Sequence, residues 1–266
     1  VESLENVAKA TVLGEGEGGI DLQKANNVRT RNIDPTHLTI LDPNRTPESS
    51  TVGVDLRFAM NAARDAQGNL YGQFTDGKGG VVHLSARQIM ESVIGFKGSE
   101  HNGMVQAQDK GTLKDTPVNK VQYWVSDPRT MFTVTTNMVP FMNHNHPGRL
   151  TMAGKAIVQA LSLKDREAPL VATVAHESKA GAPITFTKLY GQMLSTVSPA
   201  SGKIHKITDD GMEVKGDDGK IHKVARIVDM PYNQKGFRDD ETALVQEGDA
   251  VAKGQVLYDN NYTRTG

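Results

Sequence analysis

The residues best placed to do chemistry lie between Pro140 and Lys164, where the chain has no carboxylate before Asp165. The cations of this stretch are Arg149, Lys155 and Lys164, and its histidines are His144 and His146. Pro147 favours the first position of a helix, which places Arg149 in the first turn. A guanidinium there, beside free backbone amides, could bind a polyphosphate. The local pattern alone favours a solvated arginine at a helix start, since exposed arginines are common.

A glycine pattern near the amino terminus gives a second candidate. Gly14, Gly16 and Gly19 satisfy the spacing G-x-G-x-x-G after an apolar run, which is formally a dinucleotide-binding loop. Glu15 and Glu17 would then lie beside the pyrophosphate, and no amphipathic helix follows to direct its amino terminus at a phosphate. The surrounding residues therefore disfavour a nucleotide site here.

Histidines give a third candidate. His144 and His146 could join His37, His83 or His101 in a metal site of imidazoles, but no H-E-x-x-H spacing supports one. A His-x-His pair before a proline-led helix fits a capped loop equally well. The chain also lacks G-x-S-x-G, the usual context of a nucleophilic serine in hydrolases.

Composition excludes several classes of protein. The 266 residues include no cysteine, so disulfides, Cys-ligated zinc, iron-sulfur clusters and a thiolate nucleophile are excluded. A formal charge of -1 excludes a basic surface along the whole chain but leaves room for a local one. No apolar run approaches the ~18 residues of a membrane span, and the first residues do not resemble a signal peptide.

The sequence predicts that these residues are positioned by an α+β fold, which we divide into four segments. Residues 1–57 form an irregular strip, residues 58–137 a mixed outlying segment with one helix, and residues 138–174 a core segment with a second helix. Residues 175–266 form a β-rich module that resembles a barrel-sandwich fold. Its strands are expected at Gly202–Ile207, Met212–Lys215 and Ile221–Val228, followed by a glycine-punctuated hairpin at Val245–Leu257.

Two helices and several strands are predicted before that module. A capping box at Ser85–Gln88 begins the first helix, with Ile89, Met90, Val93 and Ile94 on one face and Gly95 as the stop. The second helix runs from Pro147 to Leu161, where Leu150, Ala153, Ile157 and Ala160 repeat at helical spacing. Turns at Ala66–Asn69 and Asp76–Gly80 separate short apolar stretches, including Val81–Leu84 and Gln122–Val125.

Three blocks of residues resemble the β subunit of multisubunit RNA polymerases, in the same order as in that family. The first holds Gly18-Gly19-Ile20, Arg31 to His37 and Thr46-Pro47-Glu48 with Val52-Gly53-Val54, and it is similar to the family's fork-loop region. The second, Val139 to Met152, resembles I-P-F-L-E-H-D-D-A-N-R-A-L-M and continues through Gln159-Ala160-Leu161 and Ala168 to Val171. The third runs from Asn233-Gln234 through Glu247-Gly248-Asp249 to Val256-Leu257.

Departures from the family pattern are typical of divergent, often split polymerases of large tailed phages. Ser49-Ser50-Thr51 replaces Gly-Pro-Asn, and Asn143, Asn145 and His146 replace acidic positions. The chain also lacks the two active-site lysines and the D-F-D-G-D metal motif that the family's subunits carry. The resemblance therefore implies a fragment or split subunit that does not polymerise alone, located in the host cytoplasm during infection or in the virion.

The resemblance also implies roles for individual residues. The chain would belong to the catalytic core of an enzyme that adds nucleoside triphosphates to RNA on a DNA template. Arg149 would contact the triphosphate, while Arg31, Glu48 and Lys155 would contact nucleic acid at the fork. Mg²⁺ would be held mainly by a larger, β-prime-like partner subunit, and the remaining β pieces would complete the complex, with no membrane partner.

Two non-enzymatic alternatives remain open at this point. The β-rich module is also typical of biotin and lipoyl carriers, although the hairpin tips Asp209-Asp210-Gly211 and Asp217-Asp218-Gly219 carry no modifiable lysine. A β-rich structural virion protein is the second alternative, which copurification with polymerase subunits would separate from a polymerase piece.

Overall fold

The computed structural model describes residues 9–11, 27–159, 167, 170–177, 181–193, 195–228 and 241–260. The chain divides into two compact units, Val1–Val158 and Gln159–Gly266. None of the helices in the described ranges is long and apolar enough to cross a membrane. The glycine pattern at Gly14 to Gly19 lies outside the described residues.

The first unit is rich in antiparallel strands. Its described elements are, in chain order, β1 (Lys9–Thr11), α1 (Val28–Arg31), β2 (Leu41–Asp42), β3 (Asp55–Phe58), β4 (Ala63–Arg64), β5 (Leu70–Asp76), β6 (Val81–Ser85), α2 (Ala86–Glu91), β7 (Val93–Phe96), β8 (Met104–Asp109), β9 (Thr112–Pro117), β10 (Tyr123–Val125), α3 (Val134–Asn137) and α4 (Pro147–Val158). Single 3₁₀-helical turns occupy Pro35–His37, Val118–Lys120, Pro128–Met131 and Met142–His144.

These strands form two sheets around one apolar core. A three-stranded sheet has the order β1-β3-β2, and a seven-stranded sheet has the order β4-β5-β10-β7-β8-β9, with β6 also paired to β5. Within the larger sheet β10 and β7 run parallel, and the other pairs are antiparallel. The core cluster comprises Ile40, Leu41, Leu56, Phe74, Leu84, Ile89, Ile94 and Val125.

The capping box at Ser85 is confirmed, but the helix it begins is shorter than predicted. The Ser85 amide donates to Gln88 Oε1 at 2.9 Å, and α2 ends at Glu91. Ile94 lies in β7 instead of on the helical face, because β7 pairs with a strand on each side and this ladder overrides the helical pattern. Gly95 is therefore not a helix stop. It allows a close approach, since a Cβ at this position would lie 3.0 Å from the Trp124 ring.

The second unit contains a four-stranded antiparallel sheet. Its described elements are β11 (Val174–Glu177), β12 (Pro183–Thr185), α5 (Phe186–Met193), β13 (Gly202–Thr208), β14 (Gly211–Gly216), β15 (Ile221–Ala225), β16 (Thr242–Ala243), β17 (Ala250–Val251) and β18 (Tyr258–Asp259). The sheet has the order β15-β14-β13-β17, and its buried cluster comprises Ile204, Met212, Val214, Val251, Leu257 and Tyr258.

The three predicted strands of this unit are confirmed, although the third ends at Ala225 rather than Val228. The predicted hairpin at Val245–Leu257 is displaced. Its paired arms are β16 and β18, so that segment forms the connecting loop, from which β17 pairs with β13. The described strands form open sheets without a closed barrel, so the fold is α+β and the barrel-sandwich likeness stays a prediction.

Candidate functional site

The helix α4 begins at Pro147, as the sequence predicts, and His146 caps its amino terminus. The Gly148 amide donates to His146 Nδ1 at 3.2 Å, and the Leu150 amide donates to the His146 carbonyl oxygen at 3.0 Å. Leu150, Thr151 and Gly154 are buried on one side of the helix. The predicted end at Leu161 lies outside the described residues, and α4 is described as far as Val158.

The buried side of α4 lies along the segment from Asn44 to Glu48. The Thr151 hydroxyl donates to the Asn44 carbonyl oxygen at 3.0 Å. A Cβ on Gly154 would lie 3.8 Å from Arg45 Cδ, and a Cβ on Gly148 would lie 3.6 Å from Glu48 Oε1. Glu48 is therefore beside the first turn of α4, where Arg149 also lies.

The loop that carries Glu48 is closed by contacts at its two ends. The Gly53 amide donates to Thr46 Oγ1 at 2.8 Å. Arg31 Nη1 donates to the Ser50 carbonyl oxygen at 2.6 Å and to the Val52 carbonyl oxygen at 3.0 Å. Arg31 therefore stabilises this loop by connecting α1 to the segment that follows Glu48.

Gly53 is required by this arrangement for two reasons. Its φ of +71° is a conformation that side chains disfavour, and a Cβ would lie 2.3 Å from the Arg31 carbonyl oxygen. The Thr-Pro-Glu and Val-Gly-Val motifs of the sequence therefore have a local structural cause in addition to any contact with a ligand.

Asp42 was not singled out by the sequence interpretation, yet it connects the two halves of this site. Its Oδ1 accepts from the amides of Asn44 at 2.7 Å and Arg45 at 3.1 Å. Its Oδ2 accepts from the Thr133 amide and the Thr136 hydroxyl, both at 2.7 Å. Burial raises the pKa of the Asp42 carboxyl above its ordinary value, against the opposing effect of these hydrogen bonds. The Asp-Pro-Asn turn signal at this residue was the available clue.

The short helix α3 extends this connection to α4. The Thr133 hydroxyl caps α3 by accepting from the Thr136 amide at 3.1 Å, and α3 packs against α4. Asp42 therefore anchors both the segment that leads to Glu48 and the helix that supports α4.

The cations of α4 lie on its outer side. Arg149, Met152 and Lys155 are all exposed and follow at three-residue spacing, which places them in one row along the helix. Within the described ranges, the side chains of Arg149 and Lys155 make no hydrogen bond or ion pair. With a rise of ~1.5 Å per residue, Lys155 lies roughly 9 Å along the axis from Arg149. Arg149 and Glu48 thus share the amino-terminal end of α4, and Lys155 extends the cationic row away from it.

Phe141 is a further unusual residue near this site, and no sequence pattern pointed to it. It is 67% exposed and has a left-handed backbone with φ +55°. Its carbonyl oxygen accepts from the His144 amide and from Asn145 Nδ2, each at 2.9 Å.

The residues of this site do not fit a metal ion. In the described part of the chain, no group of three or more His, Asp or Glu side chains could hold one. The His146 ring accepts the Gly148 amide, and His37 is half-buried, which lowers its pKa. We therefore derive no metal-dependent step from this chain.

Several known proteins are similar in sequence to this chain. No protein-family model matches the chain. Three similar curated proteins are each named DNA-directed RNA polymerase subunit beta. They come from Corynebacterium jeikeium at 26% identity, Streptomyces avermitilis at 28% and Tropheryma whipplei at 27%. Each match covers 94% of this chain and 22% of the relative, so the chain spans about a fifth of their length. Over nearly its whole length, the chain is therefore similar to a region of the β subunit of DNA-directed RNA polymerases.

Proposed function

We propose that this chain forms part of the catalytic core of a multisubunit DNA-dependent RNA polymerase, which adds nucleoside triphosphates to RNA on a DNA template. The observation that carries this proposal is the packing of α4 against the segment from Asn44 to Glu48. Two segments that resemble the β subunit meet at one surface. They are joined there by the hydrogen bond from Thr151 to Asn44, two residues that are 107 positions apart in the sequence. Shared packing of this kind is expected if both blocks serve one site.

Arg149 would bind the phosphates of the incoming nucleotide. Its guanidinium is exposed on the first turn of a 12-residue helix, and the helix dipole favours an anion at this end. Electrostatic stabilisation by such fixed donors is a major source of rate enhancement in phosphoryl-type transfer. Lys155, further along the exposed row, would contact the nucleic-acid backbone.

Glu48 and Arg31 would act at the fork of the nucleic acid, by different routes. Glu48 lies beside the start of α4 and would face the same bound nucleotide or strand end as Arg149. Arg31 holds the carbonyl oxygens of Ser50 and Val52, so its main contribution would be the shape of the loop that carries Glu48.

The proposed enzyme needs partners. Mg²⁺ would be held mainly by a β-prime-like partner subunit, and the remaining β pieces, the DNA template and the RNA product would complete the complex. The replacements at Ser49-Ser50-Thr51 and at Asn143, Asn145 and His146 support a divergent, split phage polymerase as the source.

The test is purification of the complex that contains this chain, followed by identification of its subunits and primer extension on a DNA template. We expect a β-prime-like subunit to copurify, the complex to extend the primer, and the isolated chain not to do so. A complex without polymerase subunits, or one that incorporates no nucleotide, would refute the proposed function.

A further inference from the structure

Phe141 combines two features that are unfavourable for a residue with only a structural role. The residue is 67% exposed, so it gains little from burial. Its φ of +55° lies in the left-handed region, which is a genuine outlier for a bulky side chain. Strained residues of this kind concentrate at ligand-binding and catalytic sites, because the surrounding structure maintains them for function.

The backbone on both sides of Phe141 holds this conformation. The Val139 amide donates to the Thr136 carbonyl oxygen at 3.1 Å, and Val139 is buried. After Phe141, the His144 amide and Asn145 Nδ2 both donate to its carbonyl oxygen. The ring is therefore presented to solvent from a fixed backbone position rather than from a loosely held loop.

The side chains around Phe141 favour a nucleotide over a protein partner. Asn143, His144, Asn145 and His146 are all exposed and polar. From Pro140 to Val158, Phe141 and Met152 are the large apolar side chains that are exposed, and no carboxylate occurs. A protein-binding hot spot is normally surrounded by further contacts that exclude water. An aromatic ring among amide and imidazole side chains, with Arg149 eight residues further along the chain, suits a base and its phosphate instead.

We propose that Phe141 stacks on a nucleobase of the nucleotide or strand whose phosphate lies at Arg149. This inference rests on the proposed function and adds a base contact to it. The base would belong either to the incoming triphosphate or to the end of a nucleic-acid strand. Any base can stack on an aromatic ring, so Phe141 would position the nucleotide without discriminating between the four bases.

The direct test uses the full 266-residue chain and a short fluorescent single-stranded oligonucleotide, compared with an abasic oligonucleotide of the same length and charge. Fluorescence anisotropy at low salt should show tighter binding of the strand that carries bases. Phe141→Ala should remove about 5-fold to 150-fold of that difference, and Phe141→Tyr should retain most of it. Leu113→Ala, which removes another exposed apolar side chain, is the matched control and should change nothing.

A second variant separates binding from folding. Glycine adopts φ +55° without strain, so Phe141→Gly should unfold at the same temperature as wild type or higher, while it loses base preference as Phe141→Ala does. Equal binding of both oligonucleotides by the wild-type chain would overturn the inference. So would a base preference that follows thermal stability across the variants.

The two sources of the base are distinguished in the complex that contains the chain. A raised KM for nucleoside triphosphate in Phe141→Ala points to the incoming nucleotide, and weaker binding of a primer-template points to the strand end. A loss in neither measurement would overturn the inference. If the complex incorporates no nucleotide but the chain still prefers strands with bases, the proposed function fails and the stacking contact stands.

Discussion

The hydroxyl of Thr151 donates a hydrogen bond to the carbonyl oxygen of Asn44, 3.0 Å away across 107 residues of chain. This contact connects α4, which carries Arg149, to the segment that carries Glu48. The hydroxyl also lies 3.1 Å from the Pro147 carbonyl oxygen, so it is held at the start of α4. The relative position of the two proposed ligand-contacting residues therefore depends on a residue that contacts no ligand.

Replacing Thr151 by valine should weaken this connection. Valine keeps the shape of threonine but cannot donate a hydrogen bond. The free energy of unfolding of the first unit should therefore fall by about 1 kcal/mol. Urea unfolding followed by fluorescence of Trp124, the single tryptophan of the chain, measures this. Thr112→Val on an exposed strand is the control, and an equal effect in both variants would deny the Asn44 contact any special role.

If the proposed function is correct, replacing Arg149 by alanine should impair nucleotide use by the polymerase complex that contains this chain. Loss of one charge-assisted hydrogen bond to phosphate costs about 1.5–3 kcal/mol, or roughly 10-fold to 150-fold in the specificity constant for nucleotide addition. Arg149→Lys should recover only part of the loss, because an ammonium lacks the planar fork. Single-nucleotide addition across a range of triphosphate concentrations measures this effect.

The control for Arg149 is Lys78→Ala, which removes an exposed cation from a hairpin turn. It should leave the specificity constant within twofold of wild type. If Arg149→Ala also stays within twofold, or weakens only binding of the nucleic-acid scaffold, Arg149 is a solvated arginine at a helix start.

Replacing Gly53 by alanine should destabilise the loop between Thr46 and Gly53. The added Cβ meets the Arg31 carbonyl oxygen at 2.3 Å in addition to the disfavoured φ, so we expect a cost of about 2 kcal/mol or more. Gly79→Ala is the matched control, since its φ is +84° but no atom lies within 4 Å of the added Cβ. Comparable urea midpoints for the two variants would contradict the steric argument.

Asp42 should make the stability of the first unit depend on pH. Because burial raises the pKa of Asp42, the folded state binds its proton more tightly than the unfolded state does. The stability it contributes is therefore fully present below the unfolded pKa of about 3.9 and is lost as the pH rises through the folded pKa.

The measurement is urea unfolding of wild type and Asp42→Asn from acidic to neutral pH. The asparagine variant should be less stable throughout, since its amide nitrogen faces backbone donors, but the advantage of wild type should shrink as the pH rises. An advantage that grows with pH would show that the hydrogen bonds outweigh burial and lower the pKa of Asp42.

The sequence by itself determined the features that depend on neighbouring residues. Ser85 and Gln88 begin α2, and Pro147 begins α4, because caps and first turns are set by hydrogen bonds and dihedral preferences within about four residues. The likeness to the β subunit could also be read directly, since it consists of residue types in order.

The tertiary structure decided what depends on contacts between distant residues. Ile94 belongs to a strand because β8 and β10 lie on either side of it, and the hydrogen bonds of a sheet are formed with strands far away in sequence. The same holds for Asp42, whose carboxylate is satisfied by Thr133 and Thr136, and for the left-handed backbone of Phe141. Burial, long-range strand pairing and backbone strain arise only when the chain folds, so local residue patterns do not predict them.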